Sequence, residues 1–375
     1  MPLRSAYWRR RFHLVEPSSM TALDKAARVA AHWENMALPV FRPTVKRKDM
    51  GSVLSCIVSD KLGPGEISRE MVSRACQLLG HSGGVSLCNP YLALSVALDA
   101  LALKPGDSVI LSALAPSVWL RVISDKGLVP LVADVEPASG SIDPQDVARL
   151  TQNARAVLIH HTLGVIMDTE ELRTHGLPII EDASQGLGGS YTGRPCGSGA
   201  DICLVSLAPE DIITCGGGAL VLAKGKQLLA ALRKVVEGSP LYSPIADMNA
   251  ALGISQIAAL ENFARVRREV AALYAQSLLK SRHRSLVSRL DAENVLSSFP
   301  VNLADGMKEV RQYALKKSID TAPAFADAIA AMDDGPGARC NNARSLVLRC
   351  VLFPLYPTLG KRDVETVSKV LATLP

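Results

Sequence analysis

The chain has 375 residues, of which 48% are hydrophobic and 21% charged, enough apolar material for one large domain and a smaller one. That balance excludes a disordered chain. The 41 Lys and Arg against 36 Asp and Glu leave a net charge of +5, too small an excess to argue for nucleic acid.

The N-terminus opens MPLRSAYWRRRFH, basic but with no apolar stretch behind it, so no signal peptide is expected. Residues 1–38 read as an arm followed by an amphipathic helix over 20–36. Within the arm, Arg9-Arg10-Arg11 reads as solvated in preference to a patch for anionic lipid or nucleic acid. Residues 39–238 have a different texture. Short β-rich apolar runs alternate there with helical segments at the spacing that parallel strands need for their crossovers. Seven such runs stand at 85–87, 108–112, 129–133, 156–160, 178–181, 202–206 and 219–223. Several are continuous Val, Ile and Leu, the mark of strands covered on both faces. Only about a dozen residues join the last two, so the final strand is expected to run antiparallel. Residues 239–375 read as the smaller domain, helical over 248–280 and again over 361–374. No run of about 18 apolar residues could span a membrane. Eight cysteines without a CxxC pair (56, 76, 88, 196, 203, 215, 340, 350) read as reduced, buried thiols of a cytoplasmic protein.

In open α/β sheets ligands sit beyond the carboxyl ends of the strands, so the loops there are the places to look for function. Three stand out. The run at 178–181 delivers Asp182, with Gln185 one turn on; such an Asp serves either as a helix N-cap or as a ligand contact. The run at 202–206 ends in Ser206 and leads to Thr214-Cys215-Gly216-Gly217-Gly218, which fits an anion cradle and a plain tight turn equally well. Cys88-Asn89-Pro90-Tyr91 precedes a helix whose N-terminus could hold phosphate, although the Pro removes one N–H.

Together these loops carry a family resemblance. The strings are FRPTVKRKD at Phe41, LGPGE at Leu62, LALKPGDSVIL at Leu101, PLVADVEPASGSIDP at Pro130, IIEDASQGLGGSYTGRPCGSGAD at Ile179, ITCGGGAL at Ile213 and NAALGISQIAALE at Asn249. With them the chain resembles the DegT/DnrJ/StrS type of pyridoxal-phosphate-dependent sugar aminotransferases. The resemblance implies the fold-type I α/β architecture, with a seven-stranded mostly parallel sheet and a smaller C-terminal α/β domain. It also implies a homodimer, cofactor held between the domains, and nucleotide-linked keto sugars as substrates. Asp182 falls where the family's carboxylate pairs with the pyridine nitrogen and keeps the ring an electron sink. Gln185 falls where a side chain touches the ring, and Ser206 where a hydroxyl binds the cofactor phosphate. His161 matches a histidine after the fourth strand, and Asn89 and Tyr91 fall in the phosphate loop.

The departures from the pattern are concentrated at the chemistry. Asp211 stands where the resemblance places the Schiff-base lysine, and no lysine lies between Lys126 and Lys224. A carboxylate cannot form an imine. The family's Ser-Gly-Thr phosphate loop is replaced by Asn89-Pro90-Tyr91, the ring-stacking aromatic by Pro116, and the partner-supplied Asn and Arg by Tyr242 and Pro244; Gly217 stands where the Gly-rich turn has an acid. The leading expectation is therefore a pseudoenzyme that binds no cofactor and acts as a binding or assembly partner, as a homodimer or beside an active paralogue. A pocket filled by Tyr91 or Tyr242 would favour it. The alternative is an enzyme that holds pyridoxal or pyridoxamine phosphate non-covalently and acts on a keto sugar, as in relatives where histidine replaces the lysine and the reaction is a dehydration. Asp211, sharing a pocket with Asp182, would then be the general base. A DNA-binding role has only the basic arm in its favour.

Overall fold

Runs such as Val109-Ile110-Leu111 and Val157-Leu158-Ile159 offer water no polar face, so they are stable only where helices cover both sides of the sheet. In the computed structural model, which describes residues 37–240, 243–286 and 292–375, they lie in such a position. The Arg9–11 triplet, the stretch 20–36 and Tyr242 fall outside the described residues. β1 (Gly83–Leu87), β2 (Ser108–Ser112), β3 (Val129–Ala133), β4 (Ala156–His160), β5 (Ile179–Asp182), β8 (Ile202–Ser206) and β9 (Ala219–Ala223) form a seven-stranded sheet in the order β1-β9-β8-β5-β4-β2-β3. β9 runs antiparallel to both β8 and β1, and the remaining pairs are parallel. β4 and β9 are buried at every position. Between β5 and β8 the chain makes a small hairpin, β6 (Ser190–Tyr191) with β7 (Arg194–Pro195), which the apolar pattern does not reveal because its strands are too short to show a period.

A second, antiparallel sheet of four short strands is built from Arg284–Ser285, Phe299–Asn302, Cys350–Phe353 and Ala322–Pro323. One helix, Asp247–Leu278, serves both sheets. Its 32 residues span about 48 Å. Ala250, Leu260, Phe263 and Ala264 pack into the core under the large sheet, whereas Val270, Tyr274 and Leu278 pack with Phe299 and Phe353 of the small one. Its first residue has a second task. Helix Glu66–Leu79 has Gly65 at its N-cap and so no side chain of its own there. Asp247 supplies the acceptor, with Oδ1 taking the Gly65 and Ser68 N–H groups at 2.8 Å and Oδ2 taking Ile67 N–H at 3.2 Å. Among the described residues no helix is long and apolar enough to cross a membrane.

Candidate functional site

Parallel register decides which side chains meet at the sheet's carboxyl edge. β4 and β5 pair so that His160 stands beside Asp182, and side chains in register project to one face. His160 Nδ1 donates to Asp182 Oδ2 at 3.0 Å. Trp119, from helix Ser117–Asp125, donates its indole Nε1–H to the same oxygen at 3.1 Å. Oδ1 takes the Ser184 N–H at 3.1 Å and also the Ser184 hydroxyl. Four protein donors thus occupy one carboxylate whose residue is only 2% exposed. Burial raises its pKa, but the His160 hydrogen bond and charge, with the two Ser184 donors, outweigh that and hold Asp182 below the usual carboxylate range. Ser184 Oγ in turn accepts Ser206 N–H at 2.8 Å, which ties the end of β5 to the end of β8.

The segment after β8 folds onto itself. Asp211 Oδ2 accepts Ala208 N–H at 2.8 Å, Asp211 N–H returns to Ala208 O at 3.1 Å, and Ser206 Oγ also faces Ala208 N–H at 3.4 Å. Burial raises Asp211 to about 7; the Ser206 and Ala208 hydrogen bonds pull it down, and the charges of Glu210 and Asp182 push it up. The glycine run 216–218 takes positive φ throughout, 84°, 138° and 98°. Its first two amides are consumed internally: Gly216 N–H donates to Thr214 Oγ1 at 3.0 Å and Gly217 N–H to Leu207 O at 3.0 Å. Of the two readings of this run, the tight turn is the one formed. The helix after β1, Pro90–Ala100, is capped by Asn89 itself, whose Oδ1 accepts Leu92 N–H at 2.9 Å.

The other expected residues are placed elsewhere. Gln185 Oε1 accepts Leu163 N–H at 2.7 Å, fixing a non-glycine residue at φ +54°. Tyr91 reaches sideways, its hydroxyl donating to Asp125 at 2.7 Å. His161 lies on the opposite face from Asp182: its Nδ1 accepts Met167 N–H at 3.4 Å, so Nε2 carries the proton and donates to Glu181 Oε1 at 2.8 Å. Asp182, Ser206 and Asp211 come together, therefore, and His161, Tyr91 and Gln185 do not join them. Reading the sequence missed His160, Trp119 and Ser184. Of these only His160 left a partial signal: alternation along a strand puts one residue of the pair His160-His161 on the Asp182 face, and the β4–β5 register decides which.

A fold-type I cofactor needs an acceptor oxygen free for its ring nitrogen, donors free for its phosphate and an amine for its aldehyde. Here Asp182 already takes four protein donors, the Leu92 N–H at the helix start is taken up by Asn89 Oδ1, two glycine amides are taken up by Thr214 Oγ1 and Leu207 O, and the loop carries a carboxylate. The residues present do not fit pyridoxal phosphate held in that manner.

The model of the DegT/DnrJ/EryC1/StrS aminotransferase family matches residues 43–372. Among characterised proteins, GDP-perosamine synthase of Caulobacter vibrioides is 25% identical over 313 residues, covering 77% of this chain and 84% of the relative. The crystal structure of the aminotransferase TlmJ from Streptoalloteichus hindustanus superposes with a TM-score of 0.83 at 23% identity, covering 90% of this chain and 98% of that one. The putative sugar aminotransferase Spr1654 of Streptococcus pneumoniae, in its PMP form, superposes with a TM-score of 0.83 at 17% identity, covering 90% and 97%. These solved structures share the α/β fold with its seven-stranded, mostly parallel sheet.

Proposed function

The chain belongs to the DegT/DnrJ/EryC1/StrS aminotransferase family, and from that premise we propose that it is a member that does not transaminate. It keeps the scaffold and acts as a binding or assembly partner in nucleotide-sugar chemistry, as a homodimer or beside an active paralogue. The observation that supports this reading is the saturation of Asp182. An indole N–H and an imidazole N–H already occupy Oδ2, and Ser184 occupies Oδ1. Any ring nitrogen would have to displace Trp119 or His160, and it would meet Asp211 where an imine needs an amine. A site prepared for a ligand leaves polar groups waiting for it; this one satisfies them from within.

The test is an absorbance titration of the purified protein with pyridoxal phosphate and with pyridoxamine phosphate, beside Asp211→Lys. The proposal expects neither ligand to saturate the wild type. It also expects Asp211→Lys to stay colourless, because restoring an amine leaves Asp182 blocked; Trp119→Phe combined with Asp211→Lys frees one acceptor site. Saturable binding of pyridoxamine phosphate by the wild type would sink the proposal. It would instead favour the second reading, an enzyme acting on a keto sugar with non-covalent cofactor. One observation supports that reading, namely the shift of Asp211 to about 7, which suits a group that takes and returns protons near neutrality. Dehydration assays on nucleotide-linked keto sugars would then decide.

A further inference from the structure

On the face of β5 opposite Asp182, three side chains with ligating atoms converge. His161 follows β4, Glu181 lies within β5 and Cys196 follows β7. Their ligand atoms all lie within 4.8 Å of one another, and all three residues are buried. Among the described residues no other trio of His, Cys, Asp or Glu comes so close. The carboxylate is only half used. Oε1 accepts from His161 Nε2 at 2.8 Å and from Gly197 N–H at 2.6 Å, whereas Oε2, equally buried, has no donor in hydrogen-bonding geometry, the weak Cys196 thiol being the other donor beside the carboxylate. A buried carboxylate oxygen without a donor is costly, and such exceptions call for a physical reason. Beside the trio lies a cavity of about 20 Å³, lined also by Asp168, Thr169 and Gly199, with room for one water-sized occupant. Gly199 keeps that side open: a Cβ there would meet Thr169 Oγ1 at 2.4 Å and stand 3.8 Å from Glu181 Oε2.

We infer that His161, Glu181 and Cys196 form a binding site for a zinc-class divalent ion, with the cavity supplying the fourth position. An imidazole nitrogen, a thiolate and a carboxylate are the mixed donors such a borderline-soft ion takes, whereas calcium and magnesium select oxygen alone. Charge favours it as well. A dication with one thiolate and one carboxylate makes a neutral buried centre, where Glu181 alone is a buried anion with an idle oxygen. On binding, Cys196 releases its thiol proton to solvent. The imidazole proton moves from Nε2 to Nδ1 so that Nε2 can coordinate; the ion then replaces the 2.8 Å bond from Nε2 to Glu181 Oε1, and the long 3.4 Å contact from Met167 N–H is lost. The ion then ties the ends of β4 and β5 to the β6–β7 hairpin. None of this depends on the cofactor face, so it stands or falls apart from the proposal above.

Cobalt is the probe. Full-length protein stripped with a chelator and titrated with Co²⁺ develops a near-ultraviolet thiolate charge-transfer band that saturates at one ion per chain and is displaced by Zn²⁺. Cys196→Ser abolishes the band, Glu181→Gln weakens binding roughly tenfold or more, and Cys88→Ser, at the exposed thiol, leaves it unchanged. Because Glu181→Gln disturbs a buried pair, a milder variant gives a second readout: Zn²⁺ raises the melting temperature of the wild type but not that of Cys196→Ala. No band in the wild type, a band that survives Cys196→Ser, or an equal thermal shift in Cys196→Ala overturns the inference.

Discussion

Two carboxylates at the sheet's carboxyl edge, one ending β5 and one in the segment after β8, are set in opposite directions by their neighbours. Asp182 has four donors and is held low; Asp211 has weaker support and is raised by burial. The raised value makes Asp211 a cost to the fold at neutral pH. The folded state holds that proton up to about 7, while the unfolded chain gives it up near 3.8. Asp211's contribution is therefore most favourable below 3.8, falls as pH rises towards 7, and is level above that. Full conversion of the shift would be about 4 kcal/mol, and the water still reaching this half-buried side chain brings the expected effect to about 1–2 kcal/mol. Asp211→Asn keeps an acceptor for Ala208 N–H and carries no proton to lose. Urea unfolding should show its advantage over wild type growing between those two values and then flattening; a constant difference would mean Asp211 is not titrating there. At this scale the sequence is legible only in part. It offered Asp182, Ser206 and Asp211, which do meet, but the pair His160-His161 looks symmetrical until the β4–β5 register is known. Trp119 is 63 residues from Asp182 along the chain, and no local pattern announces their contact.

The elements themselves were far easier to read, because apolar runs and crossover spacing are local properties of the chain. Five of the seven strands begin and end where the runs do; β1 starts two residues earlier, at Gly83-Gly84, and β5 is displaced by one. Gly84 is invisible to a hydrophobic pattern, yet it must be bare, since a Cβ there would sit 2.4 Å from Val221 O on β9. Strand order, by contrast, follows from packing between distant segments and has no local signature. The same holds for the cap on helix Glu66–Leu79, whose acceptor comes from a residue about 180 positions away. That remote cap is a test of how the elements depend on one another. An ordinary N-cap contributes about 1 kcal/mol, but Asp247 is buried, charged and takes three amides, each bond to a charged group adding about 1.5–3 kcal/mol before water compensates. Asp247→Ala should cost about 3 kcal/mol in denaturant midpoint with an unchanged m-value, and Asp247→Asn about half of that. A loss below about 1 kcal/mol would show that the helix is held by its packed face alone.

For the molecule as a whole, the cysteines report how the two cores are joined. Seven of the eight thiols are buried and Cys88 is exposed. Burial pushes Cys76 and Cys340 up to about 11 and Cys215 and Cys350 up to about 12, and lifts Cys196 and Cys203 well above their ordinary value, so neither access nor ionisation favours attack on them. A disulfide reagent such as dithionitrobenzoate should therefore count one thiol in the native protein, lost in Cys88→Ser, and eight in denaturant. The slower reaction of six of the seven buried thiols is more informative. Cys76, Cys196, Cys203 and Cys215 lie in the core under the large sheet, and Cys340 and Cys350 in the core of the small one. Two independent bodies would open separately and label in two phases. But helix Asp247–Leu278 contributes Leu260 and Phe263 to the first core and Val270 and Tyr274 to the second, so unwinding it removes a wall from both. Six thiols labelling with one rate and one urea dependence is the expected result, and mass spectrometry of partly labelled chains measures it. Chains labelled at Cys340 and Cys350 while the other four stay protected would show instead that the helix breaks between Ala264 and Val270, leaving each half to its own sheet.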